Sequence, residues 1–203
     1  MPTNGLTVNF DQAYADHSGK ILAYLRRLTR DPHLAEELVQ ETFIRVSQGL
    51  NNFRGQARLS TWIYRIATNV YLDSYRKSKA RFPNMQPFAS SSLPVESSDP
   101  AEPSEPRLAD RLFEQSEMGE CVRGFVDSLP PEYQSVIVLH DLQGLKNAEI
   151  SQILDCSLGT VKIRIHRARQ RLKALLSRHC DFEYSEENVL SCDRKQPSNR
   201  GQS

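Results

Sequence analysis

The sequence has no apolar run near the ~20 residues that span a bilayer. Its first residues, MPTNGLTVNF, carry neither the basic start nor the apolar core of a signal peptide. A cytoplasmic protein with no membrane insertion is expected, and its 4 cysteines are then thiols by default. Its clustered acids have no neighbouring nucleophile, metal-spaced His pair or glycine-rich phosphate cradle, so neither an enzyme nor a cofactor is expected. The most telling absence is of negative charge: no Asp or Glu occurs from Cys156 to Cys180.

That acid-free stretch holds Leu158, Val161, Ile165, Ala168, Leu172 and Leu175 at alternating spacings of three and four, one buried face at the helical period. Lys162, Arg164, Arg167, Arg169, Arg171, Lys173 and Arg178 lie between or just beyond them. At about 100° per residue, Ile163, His166, Arg167, Gln170 and Lys173 fall farthest from the apolar stripe and Arg164 near its edge. Basic helix faces are often merely solvated, so the residues upstream decide. Residues 148–154, AEISQIL, form a short amphipathic pattern with Ile150, Ile153 and Leu154 inward. Asp155-Cys156-Ser157 then supplies a three-residue turn whose Ser157 caps the basic helix. The pattern is that of a helix-turn-helix, whose second helix enters the major groove.

The chain of 203 residues suits two compact helical domains, and its formal net charge of +1 conceals segregated charge. Basic runs at residues 76–81 and 162–173 face acids at 36–41, 96–120 and 181–187. Phe10, Ala13, Tyr14, Ile21, Leu22, Leu25 and Leu28 predict a first helix, and Asp31-Pro32 caps a second. The second carries Leu34, Leu38, Phe43, Val46 and Leu50, with Glu36, Glu37, Gln40 and Glu41 clustered within two turns. Ser60 is read as the cap of a helix over residues 61–80, where Trp62, Tyr64, Tyr71 and Tyr75 alternate with Arg65, Asn69, Arg76 and Lys77. Rings interleaved with cations suit unpaired bases, although Trp62 and Tyr71 equally read as core. Residues 83–107, rich in Pro, Ser and acids, predict a flexible linker. Helical patterning resumes at Leu108, breaks at Leu129-Pro130-Pro131 and ends a further helix, EYQSVIVLHDL, at Gly144.

With these residues in view, the chain resembles a bacterial group IV, or extracytoplasmic-function (ECF), sigma factor over roughly residues 16–82 and 120–176. AEELVQETFIRV is similar to that family's core-binding helix and FRGQARLSTWIYRIATNVYLD to its minus-10 loop and helix. LPPEYQSVIVLHDLQGL, AEISQIL and GTVKIRIHRARQRL are similar to its minus-35 domain. The resemblance implies an all-α fold of two small helical domains joined by a flexible linker. Region 2 would span 8–82, the linker 83–107, region 4 108–178 and a Cys-containing tail 179–203. It implies a factor that binds core polymerase and initiates transcription of a stress or envelope-response regulon. Glu37, Gln40 and Glu41 would meet the clamp helices of the largest subunit, and region 4 the flap of the second-largest. Phe53, Arg54, Gly55, Arg58, Trp62, Arg65, Asn69, Arg76 and Lys77 would bind and melt the minus-10 element. Thr160, Lys162, Ile163, Arg164, His166, Arg167, Arg169 and Arg171 would bind the minus-35 element. Promoter DNA, core polymerase and an anti-sigma factor are the implied partners.

Three departures stand out. Ile163 replaces the usual Ser, which suggests contact with thymine methyls. Lys146 replaces a capping Ser, leaving Asn147 as cap or the helix start loosely fixed. The tail, HCDFEYSEENVLSCDRK, lies outside the pattern and reads either as acidic chain with incidental thiols or as a hairpin. In the second case Cys180 and Cys192, with His179, would bind a metal or form a regulatory disulfide, although Cys-x11-Cys is not a zinc spacing. Cys121 and Cys156 read as small core fillers. A stand-alone helix-turn-helix regulator, or a metal- or redox-sensing adaptor acting through the tail, is the alternative function.

Overall fold

The computed structural model describes residues 9–81, 116–184 and 190–194. The expected linker and residues 108–115 lie outside the described residues. Helix α1, Phe10–Thr29, starts at Asn9, whose side chain accepts from the Asp11 N–H at 2.9 Å. It stops where Arg30 turns left-handed, with φ 60°. Helix α2, Pro32–Gly49, is capped by Asp31, which accepts from the N–H groups of His33 and Leu34, satisfying donors that no intrahelical carbonyl reaches. A short 3₁₀ turn, Leu50–Asn52, leads through the loop to α3, Leu59–Arg81. That helix begins two residues before the start expected from Ser60.

These three helices bury Ile21, Leu25, Leu38, Phe43, Val46, Ile63, Ala67 and Val70. Tyr24, which the apolar pattern passed over, is fully buried, and its hydroxyl shares a hydrogen bond of 2.9 Å with Thr68 Oγ1. Tyr14, expected inward, is 47% exposed.

The second helical group comprises α4, Ser116–Asp127; α5, Pro131–Ile137; α6, Asn147–Leu154; and α7, Leu158–His179. The expected single helix EYQSVIVLHDL is therefore two pieces, because α5 passes into a π-turn at Val138–Leu142. Gly144, with φ +65°, ends it. Asn147 does not cap α6: its Oδ1 is buried without a hydrogen-bond partner among the described residues. Glu149 does the capping instead, accepting from the Lys146 N–H at 3.0 Å. The tail adds a two-stranded antiparallel hairpin, β1 Cys180–Tyr184 and β2 Leu190–Arg194, to the otherwise helical chain.

The two helical domains share one continuous buried cluster. Helix α3 lies between α1/α2 on one side and α6 on the other. Its tyrosines cross the seam: Tyr64 donates to Gln143 Oε1 at 3.0 Å and Tyr71 to Gln134 Oε1 at 2.7 Å. Gln134 also donates to the Leu28 carbonyl and to Asp127, and Arg30 reaches Asp127 and the Gly124 carbonyl. Thus Tyr71 belongs to a shared core. Its apolar ring is buried while its hydroxyl has a partner, as burial of a tyrosine requires.

Candidate nucleic-acid interface

The recognition helix is built as its residues dictate. Ser151 Oγ donates to the Cys156 carbonyl, Asp155 takes the left-handed conformation that closes α6, and Ser157 Oγ accepts from the Thr160 N–H at 3.1 Å. Val161, Ile165, Ala168 and Leu176 of α7 are buried. Ile163, His166, Arg167, Gln170 and Lys173 are exposed and Arg164 is half-buried, as the angular reading required, and Lys162 is exposed as well. None of Lys162, Arg164, His166 and Arg167 makes an ion pair among the described residues. A cationic face with an apolar Ile163, 47% exposed, therefore stands open. Leu158 breaks the expected stripe: sitting in the first turn beyond the core, it is 49% exposed.

Two expected members are turned elsewhere. Arg169 donates to Asp141 Oδ1 at 2.5 Å, and Arg171 lies over the Tyr133 ring at 4.7 Å. Asp141 also meets His140 Nδ1 at 2.6 Å. Burial alone would raise the Asp141 pKa, but hydrogen bonds from His140 and Arg169 outweigh it and hold the carboxyl below its ordinary range. An acid inside the apolar run VIVLHDL signals that Asp141 needs a partner, but not which cation of the downstream helix supplies it.

The second cluster is aromatic. The Phe53 and Trp62 rings lie 5.1 Å apart, and Trp62 packs so closely on Gly49 that a Cβ there would stand 3.0 Å from its ring. Gly55 takes φ +68° in the loop between them, a conformation glycine adopts without strain. Arg54, Asn69 and Lys77 are exposed. Arg76 bonds Asp73 at 2.7 Å one turn earlier on α3. The remaining cations of this set are matched by acids of the helix-turn-helix. Arg65 meets Asp155 at 2.8 Å and Arg58 meets Glu149 at 3.4 Å. Trp62, Arg65, Asp155, Cys156 and Ser157 line the resulting cleft of about 540 Å³.

On α2, Glu37 and Gln40 are exposed, and Glu41, half-buried, accepts from Arg45 at 2.8 Å; none of the three lines that cleft. In the tail, the register sets Cys180 opposite Arg194 and Cys192 opposite Phe182, so the two thiols are not a directly opposed pair. The His179 ring stacks on Phe125 at 5.6 Å.

Residues 13–81 match the model of Sigma-70 region 2, and residues 119–172 that of Sigma-70, region 4. The ECF RNA polymerase sigma factor SigW of Bacillus subtilis is 34% identical over 169 residues, covering 81% of this chain and 89% of SigW. The chain belongs to the ECF sigma factors of RNA polymerase. SigE of Mycolicibacterium smegmatis is 33% identical over 171 residues, 84% of this sigma factor, which spans only 63% of SigE. Among solved structures, CnrH in complex with the cytosolic domain of CnrY is 25% identical with a TM-score of 0.56, covering 83% of this chain and 88% of that one. The sigma factor RpoE of Bartonella quintana, solved with the anti-sigma factor NepR, shares the fold at a TM-score of 0.58 and 23% identity, over 83% of this chain and 96% of that one. Among the described residues, no helix is long and apolar enough to cross a membrane.

Proposed function

We propose that this chain is the promoter-recognition subunit of an RNA polymerase holoenzyme. In this reading α7 reads the minus-35 element, the Phe53–Trp62 cluster with Asn69 melts and holds the minus-10 element, and Glu37, Gln40 and Glu41 grip the core enzyme. The observation that carries it is the recognition helix, capped by Ser157, whose outward Lys162, His166 and Arg167 have no acid partner among the described residues. Unmatched cations on a groove-sized helix gain free energy by displacing the counterions of a phosphate backbone.

The minus-10 and minus-35 elements lie about 25 base pairs apart, roughly 85 Å of duplex at about 3.4 Å per base pair. Arg65 and Asp155, from the two expected DNA-facing regions, are in contact. Both elements are therefore engaged only after α3 and α6 separate. An anti-sigma factor, the kind of partner with which the Bartonella quintana RpoE was solved, acting here on the closed form, belongs to this proposal.

Run-off transcription with purified core polymerase is the test. Initiation at a new promoter without another sigma subunit is expected, whereas promoter binding with no transcript in the presence of core would overturn the reading.

A further inference from the structure

The π-turn at Val138–Leu142 faces both domains. Gln143, directly after it, accepts from Tyr64 of α3, while Asp141 within it is turned onto α7. Asp141 is only 4% exposed at its side chain and meets Arg169 through both oxygens, Oδ1 to Nη2 at 2.5 Å and Oδ2 to Nε at 3.4 Å. A two-point contact between a planar fork and a carboxylate fixes direction as well as distance. Arg169 follows Ala168, one of the buried residues of the recognition helix, so the contact acts next to the line about which α7 rolls on α5. With Asp141 on Nε and Nη2, the guanidinium is held by its inner edge, and its direction is set from within the protein.

We propose that Arg169 is a positioning residue and not a DNA contact: the Asp141–Arg169 pair sets the roll of the recognition helix so that Lys162, Ile163, His166 and Arg167 meet the bases and phosphates. The proposal rests on the minus-35 reading of α7 given above, and it assigns the cations of one helix to two different tasks. Arg167, exposed and unmatched, supplies charge to the DNA. Arg169 supplies orientation.

The two tasks separate in one experiment on holoenzyme made from the full chain and core polymerase, with promoter affinity measured across salt concentration and across single-base changes in the minus-35 element. Each phosphate contact contributes about 0.9 to the salt slope, so Arg167→Ala lowers the slope by about that much. Arg169→Ala keeps the parental slope but loses about tenfold of the discrimination between the preferred base and its substitutes, because misaligned side chains no longer distinguish base edges. A stability role alone would leave the discrimination of the folded fraction unchanged. Arg169→Lys, which retains the charge and one bond to Asp141, recovers part of it.

If Arg169→Ala does not assemble, Asp141→Asn reads the same quantity: the charge of Arg169 remains, the slope is not reduced, and discrimination falls. A slope lowered by Arg169→Ala as much as by Arg167→Ala overturns the proposal, as does parental discrimination in both Arg169→Ala and Asp141→Asn. If Arg167→Ala leaves the slope unchanged as well, it is the minus-35 reading of the helix that fails.

Discussion

Two groups of cations on this sigma factor are treated differently by the same fold. Lys162, Arg164 and Arg167 on α7 have no acid partner among the described residues, whereas Arg58 and Arg65, beside the Phe53–Trp62 cluster, face Glu149 and Asp155. Both acids come from the helix-turn-helix unit itself. Closing the molecule thus leaves one expected DNA surface fully charged and neutralises part of the other. The pairs that do this are exposed, with Asp155 78% and Arg58 82% open to solvent at the side chain. Such pairs are weak and screened by salt. The durable part of closure is the apolar seam under Tyr64 and Tyr71, and the ion pairs bias it.

If open groups serve partners and paired groups serve closure, altering each has a different outcome. The largest effect is expected on α2, at open Glu37 and at Glu41, whose partner Arg45 lies on the same helix: Glu37→Lys with Glu41→Lys abolishes co-elution with core polymerase while far-UV circular dichroism is unchanged. Normal co-elution of that double variant removes α2 from the interface. Next comes Asn69→Ala, which deletes an exposed amide about two turns along α3 from Trp62, a contact worth roughly 1–3 kcal/mol if it reads a base edge. Closed-complex affinity should stay near the parental value while permanganate reactivity of minus-10 thymines falls, and a pre-melted bubble should restore run-off yield.

The paired groups give smaller effects of opposite sign. Asp155→Asn weakens a pair worth at most about 1 kcal/mol and should increase the opened fraction by up to about fivefold without harming initiation. Arg65→Ala opens the molecule similarly but removes the cation itself, so promoter opening declines. Equal transcription from the two variants would show that Arg65 serves closure alone.

The smallest effect is a pH dependence, and it contrasts two buried carboxylates. Burial raises the Asp127 pKa above its ordinary 3.8, against the hydrogen bond and charge of Arg30. A raised folded pKa contributes stability that is complete below 3.8 and lost as pH climbs through the folded value. The Asp141 carboxyl is depressed, so its contribution is present above 3.8 and disappears as pH falls through its lower folded value. Of the two carboxylates only Asp127 contributes between neutrality and pH ~4.5, while burial, which lowers the His17 pKa from 6.5, works in the opposite direction there. Asp127→Asn should therefore gain less, or lose more, melting temperature than the parent on mild acidification, and an identical pH profile would exclude Asp127 as a contributor.

The readable features were local ones. The three-and-four spacing of Val161, Ile165 and Ala168, the missing acids and the Ser157 cap all lie within one helix and its turn, and periodicity reports them directly. The antiparallel hairpin was one of two readings left open for the tail. Partnerships over long separations were not readable. Arg65 and Asp155 stand ninety positions apart in sequence, and nothing in either neighbourhood distinguishes a solvated charge from a paired one. Periodicity marks the face that is buried but not what buries it, so Tyr71 was read both as core and as stacking surface. The family resemblance placed Arg169 among the minus-35 contacts, and a helical wheel, which holds one element only, contains no acid such as Asp141 to draw it away.

The central claim is that the two domains close on each other through α3 and α6 and must part to span a promoter. It is tested most directly by the distance between spin labels at exposed Gln48 on α2 and exposed Gln170 on α7, measured in the isolated protein and in the holoenzyme bound to promoter DNA. The account predicts a single short distance in the isolated protein and an increase of several tens of ångströms in the complex, as the roughly 85 Å between elements demands. An unchanged distance in a transcribing complex would contradict it.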